Sequence, residues 1–144
     1  MKKRILVLGA SFTGGDWPPV ACLARGLHDR GHELRCFADS AIRTDMQQVP
    51  IPFVLPPPEL EMKAYMARIA PRFAGLSDEQ VLELLEQDSS ITAWSKEILP
   101  HARALAERFH PHLILSQLFC LRQIRKLLTT SSVSTFSIPR SNSW

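Results

Sequence analysis

The residues best suited to chemistry lie in one loop near the start of the chain, which reads ASFTGGDWPP over residues 10–19. Where a loop enters a helix, backbone N–H groups that the helix does not use can contact a diphosphate or a hydroxyl oxygen. Hydroxyl side chains can do the same. The candidate binding residues of this loop are Ser11, Thr13, Gly14 and Gly15. The alternative, favoured for an isolated domain, is a tight strand-to-helix turn that binds nothing.

The same loop carries a carboxylate and aromatic side chains. Asp16 stands two residues before Pro18, which is typical of an aspartate that caps a helix with proline in its first turn. Aromatic residues near strand ends or in the middle of the chain could line an apolar cleft. For two of them, Phe53 and Phe73, packing in the core is favoured, whereas Trp17 is the best candidate for the cleft. The full set is Phe12, Trp17, Phe53, Tyr65, Phe73 and Phe119.

Metal and disulfide chemistry are not expected. His28 and His32 are four residues apart, but no third ligand accompanies them, so we predict no metal site. The three cysteines, Cys22, Cys36 and Cys120, are odd in number and widely spaced, which fits neither a disulfide framework nor a zinc pattern. We interpret them as reduced core thiols of a cytoplasmic protein.

The elements around the loop predict a β-α-β unit. The unbroken apolar run over residues 5–8 is typical of a strand that is buried on both faces of a parallel sheet. Apolar residues at helical spacing follow the loop, Gly31 supplies a left-handed stop, and residues 33–38 form the second strand. The helical set is Val20, Leu23, Ala24 and Leu27.

Further elements follow in alternation. Residues 39–49 fit a short helix, residues 51–56 a third strand, and residues 59–73 another helix. Ser77 with Gln80 forms a capping box at the start of the next helix.

The most regular helical pattern extends from Ile91 to Phe109. Because Pro100 lies inside this pattern, we expect either a kink or two abutting helices there. Pro111 ends the pattern, and residues 112–119 form a fourth strand.

The chain as a whole is predicted to be an α/β, three-layer Rossmann-like domain with a mostly parallel sheet over residues 1–120. Residues 121–144 form an atypical, basic, Ser/Thr-rich tail. The tail could hold a fifth strand at residues 133–138, be a disordered end, or result from a change of reading frame.

Charge and hydropathy exclude several classes of protein. Residues 1–120 hold 13 Lys and Arg against 14 Asp and Glu, so the excess positive charge comes from the tail. The body therefore carries no electrostatic footprint for nucleic acid. No apolar run is long enough to span a membrane, and the run after MKKR is too short for a secretory signal.

These residues resemble the GT-B glycosyltransferases of the UDP-glucuronosyl and UDP-glucosyl type, above all the bacterial antibiotic and sterol enzymes. Their first loop reads roughly G-[ST]-x-G-D-x-x-P, followed by A-L-A-x-x-L and G-H-x-V. The segment IPFVLP resembles their third strand, and HPHLILSQLFC resembles P-D-L-[IV]-[LV]-S-D, with His112 and Gln117 where acids are more usual. The resemblance covers about residues 3–120, and its matching residues in the first block are Gly15, Asp16, Pro19, Ala21, Leu23, Ala24, Leu27, Gly31, His32 and Glu33.

The resemblance implies an inverting transfer of a hexosyl group from a nucleotide sugar to a hydroxyl of a small apolar acceptor. Asp16 would be the general base. No cofactor is implied beyond the nucleotide-sugar co-substrate. The chain resembles only the acceptor-binding half of such an enzyme. It is thus expected to be truncated and inactive alone, with the donor site on a missing C-terminal domain or a partner subunit. The implied substrate-binding residues are Ser11, Phe12, Thr13, Gly14, Gly15, Trp17, Gln117 and Phe119.

Two alternatives remain open. The segment GASFTGG resembles the dinucleotide-binding loop of atypical short-chain dehydrogenases, which bind NAD(P). However, Ser11 takes the place of the middle glycine, and Tyr65 is followed by Ile69, so there is no Tyr-x-x-x-Lys. The chain could also be a non-catalytic split subunit or a decayed fragment, which its bare sheet edge would make poorly soluble.

Overall fold

A computed structural model describes residues 1–9, 17–46, 50–87, 90–117 and 134–138. Strands and helices alternate along these residues, and two short 3-10 turns flank the third helix. In chain order the elements are β1 (Arg4–Leu8), α1 (Trp17–Asp29), β2 (Glu33–Phe37), α2 (Ser40–Asp45), β3 (Phe53–Val54), a 3-10 turn (Pro58–Leu60), α3 (Met62–Ile69), a second 3-10 turn (Ala70–Phe73), α4 (Asp78–Gln87), α5 (Ser90–Phe109), β4 (Leu113–Gln117) and β5 (Ser134–Ile138).

The strands form one sheet in the order β3-β2-β1-β4-β5, and every pairing is parallel. The predicted α/β fold with a mostly parallel sheet is therefore confirmed. Strand β1 lies at the centre, with Leu8 in register with Phe37 of β2 and Ser116 of β4. After β3 the chain crosses to the other side of β1, so the strand order reverses between β1 and β4. In open parallel sheets, ligands bind beside the carboxyl ends of the strands at such a switch point.

Two apolar clusters cover the two faces of the sheet and give the expected three layers. Alternate residues of β1 serve opposite faces, with Ile5 and Val7 towards α1 and Leu6 and Leu8 towards α5. All four are at most 6 % exposed, as the unbroken apolar run predicts.

Gly31, His32 and His112 have structural roles at the amino edge of the sheet. Gly31 adopts a φ of 83°, which confirms the left-handed stop. The backbone N–H of Lys3 donates to His32 Nδ1 at 3.2 Å, and the N–H of Arg4 donates to His112 Nδ1 at 3.0 Å. These two imidazoles therefore fix the start of β1, at the amino edge of the sheet.

Prolines explain where the elements differ from the expected ones. The third strand is shorter than residues 51–56 because Pro52 and Pro56, on either side of Phe53–Val54, have no N–H to donate to a ladder. Residues 59–73 split into α3 and its flanking 3-10 turns, one of which contains Pro71.

Helices α4 and α5 agree more closely with the helices predicted from the sequence. Ser77 Oγ accepts from the N–H of Gln80 at 3.3 Å, and Gln80 Oε1 accepts from the N–H of Ser77 at 2.9 Å, so the capping box is confirmed. α5 continues through Pro100 as one helix, and the alternative of two abutting helices is wrong.

Strand β5 comes from the tail and pairs along its whole length with β4. A fifth strand is thus present close to residues 133–138. The rest of the tail, residues 121–133 and 139–144, lies outside the described residues. The division of the chain at residue 120 stays a prediction.

Within the described ranges, no helix is long and apolar enough to cross a membrane.

The cysteines give a prediction on reactivity. Cys36 lies buried in β2, and burial raises the pKa of its thiol above the ordinary value. Cys22 is exposed on α1, so its interpretation as a core thiol is wrong. In a Cys120→Ser background, we expect a thiol reagent at pH 8 to label Cys22 at once and Cys36 only after the chain unfolds. Mass spectrometry of labelled peptides measures this. Equal labelling of both would contradict the burial of Cys36.

The same thiol affects stability at alkaline pH. The folded state keeps the Cys36 proton, whereas the unfolded chain releases it above a pKa of about 8.5. The Cys36 thiol therefore leaves the free energy of unfolding unchanged below that pH, and it lowers this free energy as the pH rises further. Cys36→Ala should flatten the decline between pH 8 and pH 10 in urea unfolding.

Candidate functional site

The carboxyl edge of the sheet between β1 and β4 is the candidate site. Leu8, the last residue of β1, pairs in register there with Ser116, which lies one residue before the end of β4 at Gln117. In the sequence, residues 10–16 follow β1 and residues 118–133 follow β4. The loop singled out in the sequence thus follows β1 in the chain, and β1 is one of the two strands at the switch point of the fold.

Most of the predicted site residues lie outside the described residues. This applies to the candidate base and to most of the binding set, namely Asp16, Ser11, Phe12, Thr13, Gly14, Gly15 and Phe119. Trp17 is the first residue of α1, and Gln117 is the last residue of β4, in register with Ile138. Trp17 thus lies at the start of α1 and Gln117 at the end of β4, and their binding roles stay predictions.

Trp17 packs against the end of β1 rather than lying open to solvent. Its side chain is 3 % exposed and belongs to the cluster between the sheet and α1. A Cβ built on Gly9 would come within 2.3 Å of Trp17 Cζ3, so the indole rests directly on the glycine backbone. The indole Nε1 is buried and has no hydrogen-bond partner among the described residues.

Ser116 is a further polar residue at this edge, one that the sequence did not single out. It is 1 % exposed, and its Oγ likewise has no hydrogen-bond partner within the described part of the chain. Buried polar atoms are nearly always paired, so each exception calls for an explanation. The sequence offers one signal: Ser116 directly follows the apolar residues LIL of β4.

The neighbouring edge, after β2, is closed by protein. Asp39 is 3 % exposed and its Oδ1 accepts from the backbone N–H of Met62 at 3.3 Å, while Ser40 Oγ donates to Glu61 Oε2. These bonds hold the start of α3 over the end of β2. In dinucleotide-binding sheets an acid in this region accepts from a ribose hydroxyl. Asp39 accepts from the backbone of Met62 instead, which disfavours the dinucleotide alternative.

Helix α3 is fixed in turn to α5. Trp94 Nε1 donates to the carbonyl of Leu60 at 2.8 Å, and Arg68 donates to both carboxylate oxygens of Glu97 at 2.9 Å. The Arg68 guanidinium lies 4.7 Å from the ring centroid of Tyr65, and burial raises the pKa of the Tyr65 hydroxyl. These contacts join α3 and the turn before it to α5, on the α5 face of the sheet.

An apolar groove of about 480 Å³ lies on the outer side of α3 and reaches α4; it is lined by Met66, Ala67, Ala70, Phe73 and Val81. Phe73 also packs against the α5-side cluster, and Phe53 packs against the α1-side cluster. The core role predicted for these two rings is thus confirmed, with Phe73 serving the groove as well.

No group of three or more His, Cys, Asp and Glu side chains that could hold a metal ion occurs among the residues described. His28 Nδ1 lies 3.5 Å from Asp29 Oδ1, and His32 Nδ1 accepts from the backbone of Lys3. The two histidines thus face different partners.

Comparison with known proteins yields structural likeness only. No protein-family model matches the chain, and no curated protein matches it. Among solved structures, CalG4, the calicheamicin glycosyltransferase, superposes with a TM-score of 0.72 at 15 % identity, over 94 % of this chain and 32 % of its own. SsfS6, a glycosyltransferase from Streptomyces sp. SF2575, gives 0.69 at 23 % identity, over 94 % and 39 %.

A third similar structure has a different activity. The C-terminal domain of a hydrogenase from Pyrococcus furiosus gives a TM-score of 0.61 at 14 % identity, over 96 % of this chain and 94 % of the domain. These likenesses confirm a Rossmann-like fold of the kind found in GT-B glycosyltransferases. The chain spans about a third of the length of the glycosyltransferases it matches.

Proposed function

We propose that this chain is the acceptor-binding half of a glycosyltransferase. It would hold a small apolar molecule that carries a hydroxyl at the β1/β4 edge, for transfer of a hexosyl group from a nucleotide sugar. The observation that carries the proposal is that two buried polar atoms at this end of the sheet have no hydrogen-bond partner among the described residues, Ser116 Oγ on the α5 face and Trp17 Nε1 on the α1 face. The fold shared with antibiotic glycosyltransferases supports the same function.

The proposed chemistry is a single displacement. Asp16, directly before α1, would take the proton of the acceptor hydroxyl as its oxygen attacks the anomeric carbon, and the nucleoside diphosphate would leave from the opposite face, which inverts the configuration. A carboxylate with a pKa of about 3.9 is a weak base for an alcohol. The proton would therefore move late, once the oxygen has begun to bond to the sugar and has become more acidic.

The donor would be held mainly outside this chain. SsfS6 has been solved in complex with thymidine diphosphate, which supports a nucleoside diphosphate sugar as the donor class. Since the chain spans about a third of such enzymes, we propose that a second domain or a partner subunit supplies the donor site. No resident cofactor is needed for this reaction, and a cytoplasmic location stays a prediction.

The first test is binding by the chain itself. We expect 4-ethylphenol, an apolar body with one hydroxyl, to bind with a Kd of about 1 mM or tighter, given its few non-hydrogen atoms. The indole resonances of ¹⁵N-labelled protein provide the readout, since Trp17 lies at the edge and Trp94 is already bonded to Leu60. Micromolar binding of NADPH, with no response to the phenol, would overturn the proposal in favour of a dinucleotide-binding protein.

A further inference from the structure

We propose that the Ser116 hydroxyl binds the acceptor, by a hydrogen bond to the acceptor hydroxyl that receives the sugar. The inference rests on the proposed function and adds to it a specificity-determining residue. It also defines the ligand group: a neutral hydroxyl on an otherwise apolar molecule.

The position of Ser116 is the first argument. It lies one residue before the end of β4, in register with Leu8 on one side and Ser137 on the other. Ile114 and Leu115, which precede it, are 2 % and 1 % exposed and purely apolar. A polar side chain therefore interrupts an apolar strand at the switch point, where parallel sheets bind ligands.

The missing partner is the second argument. Other buried polar groups near this end of the sheet are paired, as with Asp39 to the N–H of Met62 and Trp94 Nε1 to the carbonyl of Leu60. Besides Ser116 Oγ, the described residues contain two buried side-chain atoms without a hydrogen-bond partner, Trp17 Nε1 and His28 Nδ1, of which the second lies 3.5 Å from the carboxylate of Asp29. An unpaired buried hydroxyl lowers stability where alanine would not. A ligand that pairs with the hydroxyl recovers this free energy on binding.

The surroundings specify the kind of partner. On the α5 face, Leu8 and Ile114 border Ser116, and both belong to the apolar cluster. An anion would need several donors or a cation in so apolar a setting, whereas one hydroxyl pairs fully with another. A hydrogen bond in such a dry site is strong, and it discriminates against an analogue that lacks the hydroxyl.

The experiment compares two probes and two serine variants. 4-Ethylphenol and ethylbenzene share the same apolar body and differ by one hydroxyl. We expect Ser116→Ala to weaken binding of 4-ethylphenol about fivefold, the value of one hydrogen bond, and to leave ethylbenzene unchanged. Ser77→Ala is the matched control, because it removes an exposed capping hydroxyl far along the chain and should change neither affinity.

Stability provides the second measurement. Because Ser116 Oγ has no partner in the free protein, we expect Ser116→Ala to leave the Tm unchanged or to raise it, whereas Ser77→Ala should lower it. A lowered Tm for Ser116→Ala would overturn the inference, since the hydroxyl would then have a structural partner.

The outcomes separate this inference from the proposed function. If 4-ethylphenol binds the wild type and Ser116→Ala equally well, Ser116 is not a binding residue while the acceptor site stands. If Ser116→Ala weakens both probes equally, the serine affects the shape of the site only, and the inference is also wrong. If neither probe binds the wild type, both this inference and the proposed acceptor class are wrong.

Discussion

Replacing Gly9 with alanine is expected to destabilise the fold by about 2–3 kcal/mol, a large effect for one added methyl group. Gly9 is buried directly after β1, and its N–H donates to the carbonyl of Phe37 at 3.1 Å. An added Cβ would lie 2.3 Å from Trp17 Cζ3 and 2.9 Å from Cε3. Since Trp17 is 3 % exposed and packed among core residues, its ring has little room to withdraw.

A double-mutant cycle identifies the clash. Urea unfolding should show that Gly9→Ala costs less than about 1 kcal/mol when it is made in a Trp17→Leu background, because the smaller side chain leaves room for the methyl group. Gly26→Ala is the control: this glycine is exposed in α1, with nothing within 4 Å of an added Cβ. It should stabilise the protein by about 0.5–1 kcal/mol. An equal cost of Gly9→Ala in both backgrounds would contradict the packing explanation.

The contact between Gly9 and Trp17 also matters for the proposed site. Trp17 begins α1, so the ring seated on Gly9 fixes where the helix starts relative to the end of β1. Asp16 is the preceding residue. We therefore expect Gly9→Ala to weaken acceptor binding as well, because it displaces the first turn of α1 and the residues joined to it.

Local patterns made much of the fold predictable. The apolar run of β1, the left-handed Gly31 and the capping box of Ser77 and Gln80 depend on residues close together in the chain. Physical rules for such short segments are strong. The order of the elements then restricts the topology, because crossovers between parallel strands have a fixed hand.

Long-range contacts were not predictable from the same patterns. The bond from the Met62 N–H to Asp39 and the bidentate pair of Arg68 with Glu97 join residues more than 20 positions apart. Nothing in the local sequence of either partner identifies the other. Ser116 was missed for a related reason: a hydroxyl in a strand is normally paired, and only the three-dimensional structure reveals that this one is not.

Replacing Asp16 with asparagine is expected to lower turnover by about 10²–10⁴-fold, the usual contribution of a positioned general base. The assay joins this chain to the donor-binding half of a glycosyltransferase such as SsfS6 and follows release of thymidine diphosphate in the presence of a phenolic acceptor. Asparagine has nearly the same size and also caps helices, so the free energy of unfolding should change by less than about 1 kcal/mol. Acceptor affinity should change little.

The control and the contrary outcomes decide between the base and the cap. Asp29→Asn alters an exposed carboxylate at the other end of α1, where it lies near Arg25 and His28, and should leave turnover unchanged. Turnover retained by Asp16→Asn would show that Asp16 is not the base. Turnover and stability lost together would show that the carboxylate serves chiefly to fix the helix start. Loss of turnover alone, with acceptor still bound, would separate proton transfer at Asp16 from acceptor binding at the β1/β4 edge.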